Sequence, residues 1–451
     1  MFGHLDDAEP RAPSRREMAD VQRRARRIRL RRRIRIAGLT GAVVAVVSLR
    51  FVVTRPSPAP LRTSETSYQF NAMKGPLPVG TPVPTTALVS VVFDDANVGF
   101  ALAGHRGEAV LAKSTDGGDS WRVQNDDLPS GYGQGEGYSG EFEFAGAKGY
   151  LWGGSPQADG DAPLWVTSDS GVTWQRAAIG PVVYDVSAIG ENVWALTSTC
   201  NGHTPSGSAT SPCALVLEQS VDGGTTWSAV NSAGFTGVVN VSPFAQRVEL
   251  ARITLSRAYT LTAATGQSGA GIALTYTDDG GQSWQTRPVP CAAPFDLGGE
   301  IAASGTDDLW FLCGSQASGG EQSKELYRSS DGGFTWALTA SATGLGTPPP
   351  PAAAPNTLPL GGYIAPFSIG HKNLAVASPT TAWLYPTTAS LLKTVTGGRS
   401  WATVSGLVPA GFGSGAPGNV TFISATQGWI CAYGVGLWHT SDGVHWSALG
   451  V

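Results

Sequence analysis

Residues 114–121 read STDGGDSW, and the chain comes back to that pattern at a regular interval. SDSGVTW ends at Trp174, SVDGGTTW at Trp227, TDDGGQSW at Trp284 and SSDGGFTW at Trp336. Two worn copies follow, TVTGGRSW ending at Trp401 and TSDGVHW ending at Trp446. The fixed points Asp116, Asp169, Asp222, Asp279, Asp331, Thr396 and Asp442 are spaced by 53, 53, 57, 52, 65 and 46 residues. A unit of about fifty residues repeated seven times is the period of propeller blades. The expected fold is all-β, a seven-bladed β-propeller over residues 87–451, preceded by one N-terminal transmembrane helix.

The chemistry of the unit S/T-x-D-x-G-x-S/T-W is that of a turn. A carboxylate in a tight turn accepts hydrogen bonds from backbone N–H groups that would otherwise go unpaired. Gly118, Gly224, Gly281 and Gly333 suit a position of positive φ, and the closing Trp has the apolar area to pack between blades. Thr396 keeps a hydroxyl acceptor without the charge, so its turn should be weaker rather than absent. The unit resembles the Asp-box repeat of sialidase-like and sortilin-like propellers, which implies a structural role for the seven turns. The same stretches, with VGFALAG and QGWICAYG ahead of them, also resemble photosystem assembly-factor and xyloglucanase-type propellers. The first likeness implies a binding platform and the second a glycoside hydrolase.

Upstream of the repeats the chain changes character. Residues 1–35 form a basic tail with twelve Arg between Arg11 and Arg35, and residues 36–54 are apolar apart from Arg50. Nineteen residues span a bilayer if Arg50 snorkels, and the basic flank places the N-terminus in the cytoplasm and the rest outside. An uncleaved signal-anchor is preferred to a signal peptide, because the basic region is long and no A-x-A site follows. Residues 55–86 read as a Pro/Ser/Thr-rich extended tether. Residues 1–62 carry fifteen Arg against five acids, or +10, leaving fifteen Lys and Arg against twenty-nine acids, or −14, in the remainder. An acidic domain disfavours nucleic acid. The expected location is the plasma membrane, single-pass, with the propeller extracytoplasmic and monomeric.

Each repeat reads as a small-apolar strand, an aromatic-bearing strand, a third strand, the turn and a strand after the Trp. The large aromatics of the second strands align as Phe100, Trp152, Trp194, Tyr259, Trp310, Trp383 and Trp429, and one per blade in one strand implies core packing. Turns between first and second strands are short. The long segments are 126–140, 153–163, 200–213, 231–247, 287–299, 314–323 and 340–370. In four-stranded blades these all emerge on one rim, opposite the repeated turns, and loops on a rigid scaffold are where function concentrates. Tyr132, Tyr138, His203, Tyr363 and His371 are the binding candidates on that rim. Asp126, Asp127, Glu136, Asp159, Asp161, Asp296 and Glu300 are placed there too and read as solvated loop acids.

Five cysteines suit two disulfides, Cys200–Cys213 and Cys291–Cys313, and a buried free Cys431, as expected in an oxidising compartment. Metal-ligand spacing is absent and no cofactor is implied. The sialidase resemblance implies three substrate-binding arginines, a Tyr nucleophile with a Glu partner and an Asp acid/base. No F/Y-R-I-P stretch is present, and no residue carries over to those roles. The sequence therefore points to a membrane-tethered, non-catalytic binding or scaffold domain for an envelope protein or glycan. The competing reading is a glycoside hydrolase-like enzyme with paired carboxylates over a central channel.

Overall fold

A computed structural model describes residues 65–129, 140–153, 161–198, 213–230, 235, 238–239, 246–264, 272–292, 295, 298–316, 318, 321–343, 357–358, 373–385, 391–404 and 418–450. These form seven antiparallel sheets, each with four strands in sequence order, and in the third a further short strand, Val238–Val239, pairs with Cys213–Ser220. Blade 1 consists of Leu88–Phe93, Gly99–His105, Glu108–Ser114 and Arg122–Asn125. The first strands of the seven blades are Leu88–Phe93, Glu141–Ala145, Val182–Ile189, Gln246–Arg252, Gly298–Ala303, Leu374–Val376 and Gly418–Phe422. Each of them neighbours the next around a closed ring, the seventh returning to the first. The expected seven-bladed propeller is what the chain forms.

The repeated turns follow one hydrogen-bond scheme. In blade 1 the Asp116 carboxylate accepts from the Ser120 N–H (2.9 Å), the Ser120 hydroxyl and the Ser114 hydroxyl. The Ser114 hydroxyl oxygen accepts from the Gly118 N–H at 2.9 Å, and Trp121 Nε1 donates to the Gly118 carbonyl at 3.0 Å. Gly118 has φ 99°, a conformation that a Cβ would strain. The Gly117 N–H donates to the Asn97 carbonyl of the turn between first and second strands. Blades 2 to 6 repeat this last bond through Ser170, Gly223, Gly280, Gly332 and Gly397, so both turn types share one face of the disc. At Thr396 the hydroxyl oxygen accepts from the Ser400 N–H at 2.9 Å, which preserves the turn without a charge.

Between blades the second-strand aromatics do the packing. Phe100 stacks on Phe144 of the next blade, Trp383 on Phe422, and Trp429 on Phe93, each at 3.7 Å between ring centres. The register makes room for this. Phe93, Phe144 and Phe422 lie opposite Gly99, Gly149 and Gly428, where a Cβ would collide with the ring, at 2.6 Å for Gly99. Where the glycine is replaced by a larger residue, the partner shrinks: Ala188 faces Val193 and Ala303 faces Leu309. At the same position in blade 4 stands Arg252, whose guanidinium covers Trp194 at 4.2 Å in place of a phenyl ring. The register also corrects one expectation. In blade 2 the residue equivalent to Phe100 is Tyr150, opposite Val166, and Trp152 sits two residues further along the strand. Alternation along the strand puts both aromatics on one face, and that was the source of the ambiguity.

The stretch expected as an extended tether is not wholly extended. Glu65–Ala72 forms a helix, α1, because Phe70, 1 % exposed, buries against blade 1 with its ring 5.0 Å from that of His105. The following segment lies along the outer strand of blade 1: the Val83 N–H donates to the Trp121 carbonyl at 2.9 Å, and the Val123 N–H to that of Thr81 at 2.8 Å. It then crosses to blade 7, where the Gly434 N–H donates to the Thr86 carbonyl at 2.9 Å. Every blade is built from contiguous sequence, so this strap is a covering across the joint between the last blade and the first.

Cys291 and Cys313 form a disulfide between the connector entering blade 5 and that blade's second strand, and Cys431 is a buried free thiol, as expected. The Cys200–Cys213 pairing and the anchor at 36–54 lie outside the described residues. Among those residues no helix is long and apolar enough to cross a membrane.

Candidate functional site: the polar ring of the central channel

The first strand is the edge strand of every sheet and faces the channel, so its outward N–H groups have no ladder partner. The sequence answers with one polar residue per blade at the same register. Ser90, Glu141, Asp185, Glu249, Glu300 and Asn419 lie opposite Leu102, Trp152, Leu196, Leu261, Leu312 and Cys431, each two residues after the second-strand aromatic. In blade 6 the equivalent is Asn373, whose carbonyl accepts from the Tyr385 N–H.

Several of these side chains reach across to the next blade. The Asp185 carboxylate accepts the Leu250 N–H at 2.6 Å, and Glu249 accepts the Ile301 N–H at 3.3 Å. Glu300 accepts the Asn373 and Leu374 N–H groups at 3.1 and 2.9 Å. Asn419 closes the ring by accepting from the Val91 N–H (3.0 Å) and donating to the Val91 carbonyl (2.7 Å). Glu143, two residues along from Glu141, accepts the Ala188 N–H at 3.4 Å. A charged acceptor on a buried N–H is worth about 1.5–3 kcal/mol where a neutral one gives about 1. These bonds tie blade to blade at the channel wall.

The channel is acidic at one end and carries a cation at the other. A cavity of about 300 Å³ is lined by Ser90, Glu141, Glu143, Asp185, Glu249 and Asn419, near the strand starts and the long loops. A second, of about 360 Å³, shares Ser187, Leu250 and Val420 with it and continues among Ala251, Ala303, Val376 and Phe422 toward the repeated turns. Arg252 is the cation of that end. It donates to the Asn192 carbonyl at 2.9 Å, and burial lowers its guanidinium to about 10.

The acids read as solvated loop residues fare differently in the structure. Glu300 is 1 % exposed and stands on a first strand, a correction to its placement on the rim. The Asp126 carboxylate accepts the Leu77 N–H of the strap, and Asp161 pairs with Arg176. Tyr132, Tyr138, His203, Tyr363, His371, Glu136, Asp159 and Asp296 lie outside the described residues. Sequence reading missed the polar ring, although its signal was present. A polar residue falls nine or ten positions before each second-strand aromatic, from Ser90 before Phe100 to Asn419 before Trp429. No group of His, Cys, Asp and Glu among the described residues could hold a metal ion.

Fold and channel together define the class of molecule, a seven-bladed propeller with an acidic channel mouth on its loop-bearing side. No protein-family model matches the chain, and no curated protein matches it. Solved structures similar to it include YCF48 bound to D1 peptide, at 18 % identity and TM-score 0.48, covering 82 % of this chain and 98 % of that one. YCF48 from Cyanidioschyzon merolae is similar at 15 % identity and TM-score 0.47, covering 82 % and 99 %. A PL25 ulvan lyase bound to a sulfated disaccharide repeat is similar at 10 % identity and TM-score 0.48, covering 83 % and 96 %.

Proposed function

We propose that this protein is a membrane-anchored, extracytoplasmic propeller that acts as a non-catalytic binding or scaffold domain for an envelope protein or glycan. Its seven turns are Asp-box repeats with a structural role, and its binding surface is the loop-bearing rim around the acidic channel mouth. One observation carries this reading: the channel carboxylates Glu143, Asp185, Glu249 and Glu300 accept backbone N–H groups of the neighbouring blade. A carboxylate that accepts two buried N–H groups, as Glu300 does, is an inter-blade joint and is poorly placed to donate a proton to a leaving group. The basic tail followed by an apolar segment supports the anchor and the orientation.

The test is an in-cell crosslink and pull-down of the tagged full-length protein against a control holding residues 1–86. Envelope proteins or glycan enriched by the propeller, and lost when Tyr132, Tyr138, His203, Tyr363 and His371 are substituted, are the expected result. Binding that survives those five changes but is abolished by changes on the turn-bearing face would refute the assignment of the rim.

The second reading, a glycoside hydrolase-like enzyme, is favoured by a single feature, four carboxylates on different blades facing one channel. It expects polysaccharide turnover by the purified protein.

A further inference from the structure

Loop length directs attention to one rim, but most of the exposed large apolar side chains among the described residues lie on the opposite face. Among the described residues, two of the large hydrophobic side chains that stay exposed, Met73 and Val79, belong to the strap and its approach. The other seven all occupy turns of the turn-bearing face, spread over six of the seven blades. Such positions ordinarily go to Ser, Asn, Asp or Gly, and nothing in the turn scheme requires an apolar residue there.

Blades 3 to 5 present the best-organised arc. Val221 is 68 % exposed, Leu255 57 % and Phe334 59 %. Phe334 is held in place: the Arg287 guanidinium lies 4.0 Å from its ring and also 4.0 Å from the ring of Tyr276. Arg287 is itself 5 % exposed. An aromatic already fixed by stacking loses little freedom when a partner covers it, and that is the property of an interface anchor.

The charges around this arc select the partner. Its exposed cation is taken, with Arg257 paired to Asp307 at 2.9 Å, while Lys148 pairs with Glu191 and Arg328 with Asp308 at 3.2 Å. Asp222, Asp278, Asp279 and Asp331 remain among the apolar side chains. Turn hydrogen bonds, led by the Thr226 hydroxyl on Asp222 and the Ser329 hydroxyl on Asp331, hold two of them well into the ionised form. A second copy offering the same face would set like charges against each other, and an anionic lipid surface would be repelled. We propose that the turns of blades 3 to 5, centred on Val221, Leu255 and Phe334, dock a protein segment that interleaves Lys or Arg with apolar side chains. This surface is opposite the loop rim, so it and the function proposed above stand or fall separately.

The test uses the full-length protein in zwitterionic nanodiscs and, as probe, a fluorescent amphipathic peptide of Arg and Leu, with a Glu/Leu peptide as control. The Arg/Leu peptide should bind and the Glu/Leu peptide should not. The combined variant Val221→Ser, Leu255→Ser, Phe334→Ser should weaken binding about tenfold or more, with the protein still folded and its thermal midpoint lowered only modestly, through the lost contact of Phe334 with Arg287. Asp278→Asn should weaken binding more at low than at high salt, and Tyr132→Ala with Tyr363→Ala should leave it intact. Absence of binding, equal binding of the Glu/Leu peptide, or undiminished binding by the triple variant would overturn the proposal. So would self-association of the protein that the triple variant abolishes, which would assign the face to a second copy.

Discussion

At the scale of single residues, the chain shows how one turn survives the loss of its central group. Asp331 accepts from the Ser329 and Thr335 hydroxyls and from two backbone N–H groups, and these bonds hold its carboxyl at about 2. Thr396 accepts the equivalent Ser400 N–H with a neutral hydroxyl. Thr396→Asp should therefore stabilise the protein at neutral pH, by about 0.5–1 kcal/mol for a solvent-screened charge-assisted bond, as read from denaturant melts. The sign of the pH dependence follows from the depressed carboxyl. The stability contributed by Asp331 is fully present above the unfolded pKa near 4 and is lost as the pH falls toward about 2. The Thr396→Asp gain should disappear over the same range; a gain that persists at pH 2 would mean that loss of the β-branched methyl, rather than the added charge, was responsible.

At the scale of elements, joints between blades are decided by pairs of residues on adjacent strands. The second-strand aromatic supplies the area, and the first strand of the next blade supplies a Phe, an Arg or a small residue according to the space available. Polar ends of the same aromatics reach the next repeated turn: Tyr150 donates to the Gly223 carbonyl at 3.2 Å, Tyr259 to that of Gly332 at 3.2 Å, and Trp429 to that of Gly117 at 2.9 Å. The joint between blades 7 and 1 has the strap in addition, anchored by Phe70. Phe70→Ala should cost about 3 kcal/mol as a large-to-small change at a buried site. It should also accelerate amide hydrogen exchange in 80–87 and 428–450, while blades 3 to 5 keep their protection. Unchanged exchange in blade 7 would show that the strap does not hold this joint.

At the scale of the whole molecule, the propeller is a ring of edge strands that would otherwise leave N–H groups facing a channel. At four of the seven ring positions, Asp185, Glu249, Glu300 and Asn419, the polar ring supplies the missing acceptor, and the acidic character of the channel mouth is its by-product. Glu300→Gln tests this account. The amide has one carbonyl oxygen where the carboxylate offers two, so one of the Asn373 and Leu374 N–H groups loses its acceptor or meets an N–H₂. The expected cost is about 1–3 kcal/mol of stability, measured by chemical denaturation, with capture of the loop-rim partner unchanged. A stable variant that loses a measurable polysaccharide-degrading activity would favour the enzyme reading instead.

The number of blades was legible in the sequence, because a repeated turn with a Trp declares its own period. The disulfide Cys291–Cys313 and the buried Cys431 were legible too, since they follow from which strand each residue occupies. The role of Glu300 was not. A Glu near a long loop and a Glu on an inner strand look alike in sequence, and only strand register and the neighbouring blade distinguish them. The same holds for Tyr150 against Trp152, two aromatics on one face of one strand, and for α1, an eight-residue helix made stable by a pocket on blade 1. What the sequence by itself determined was everything set by local periodicity. What only the tertiary structure decided was which polar groups meet an unpaired N–H on another blade and which apolar side chains are left uncovered, because both depend on contacts between residues far apart in the chain.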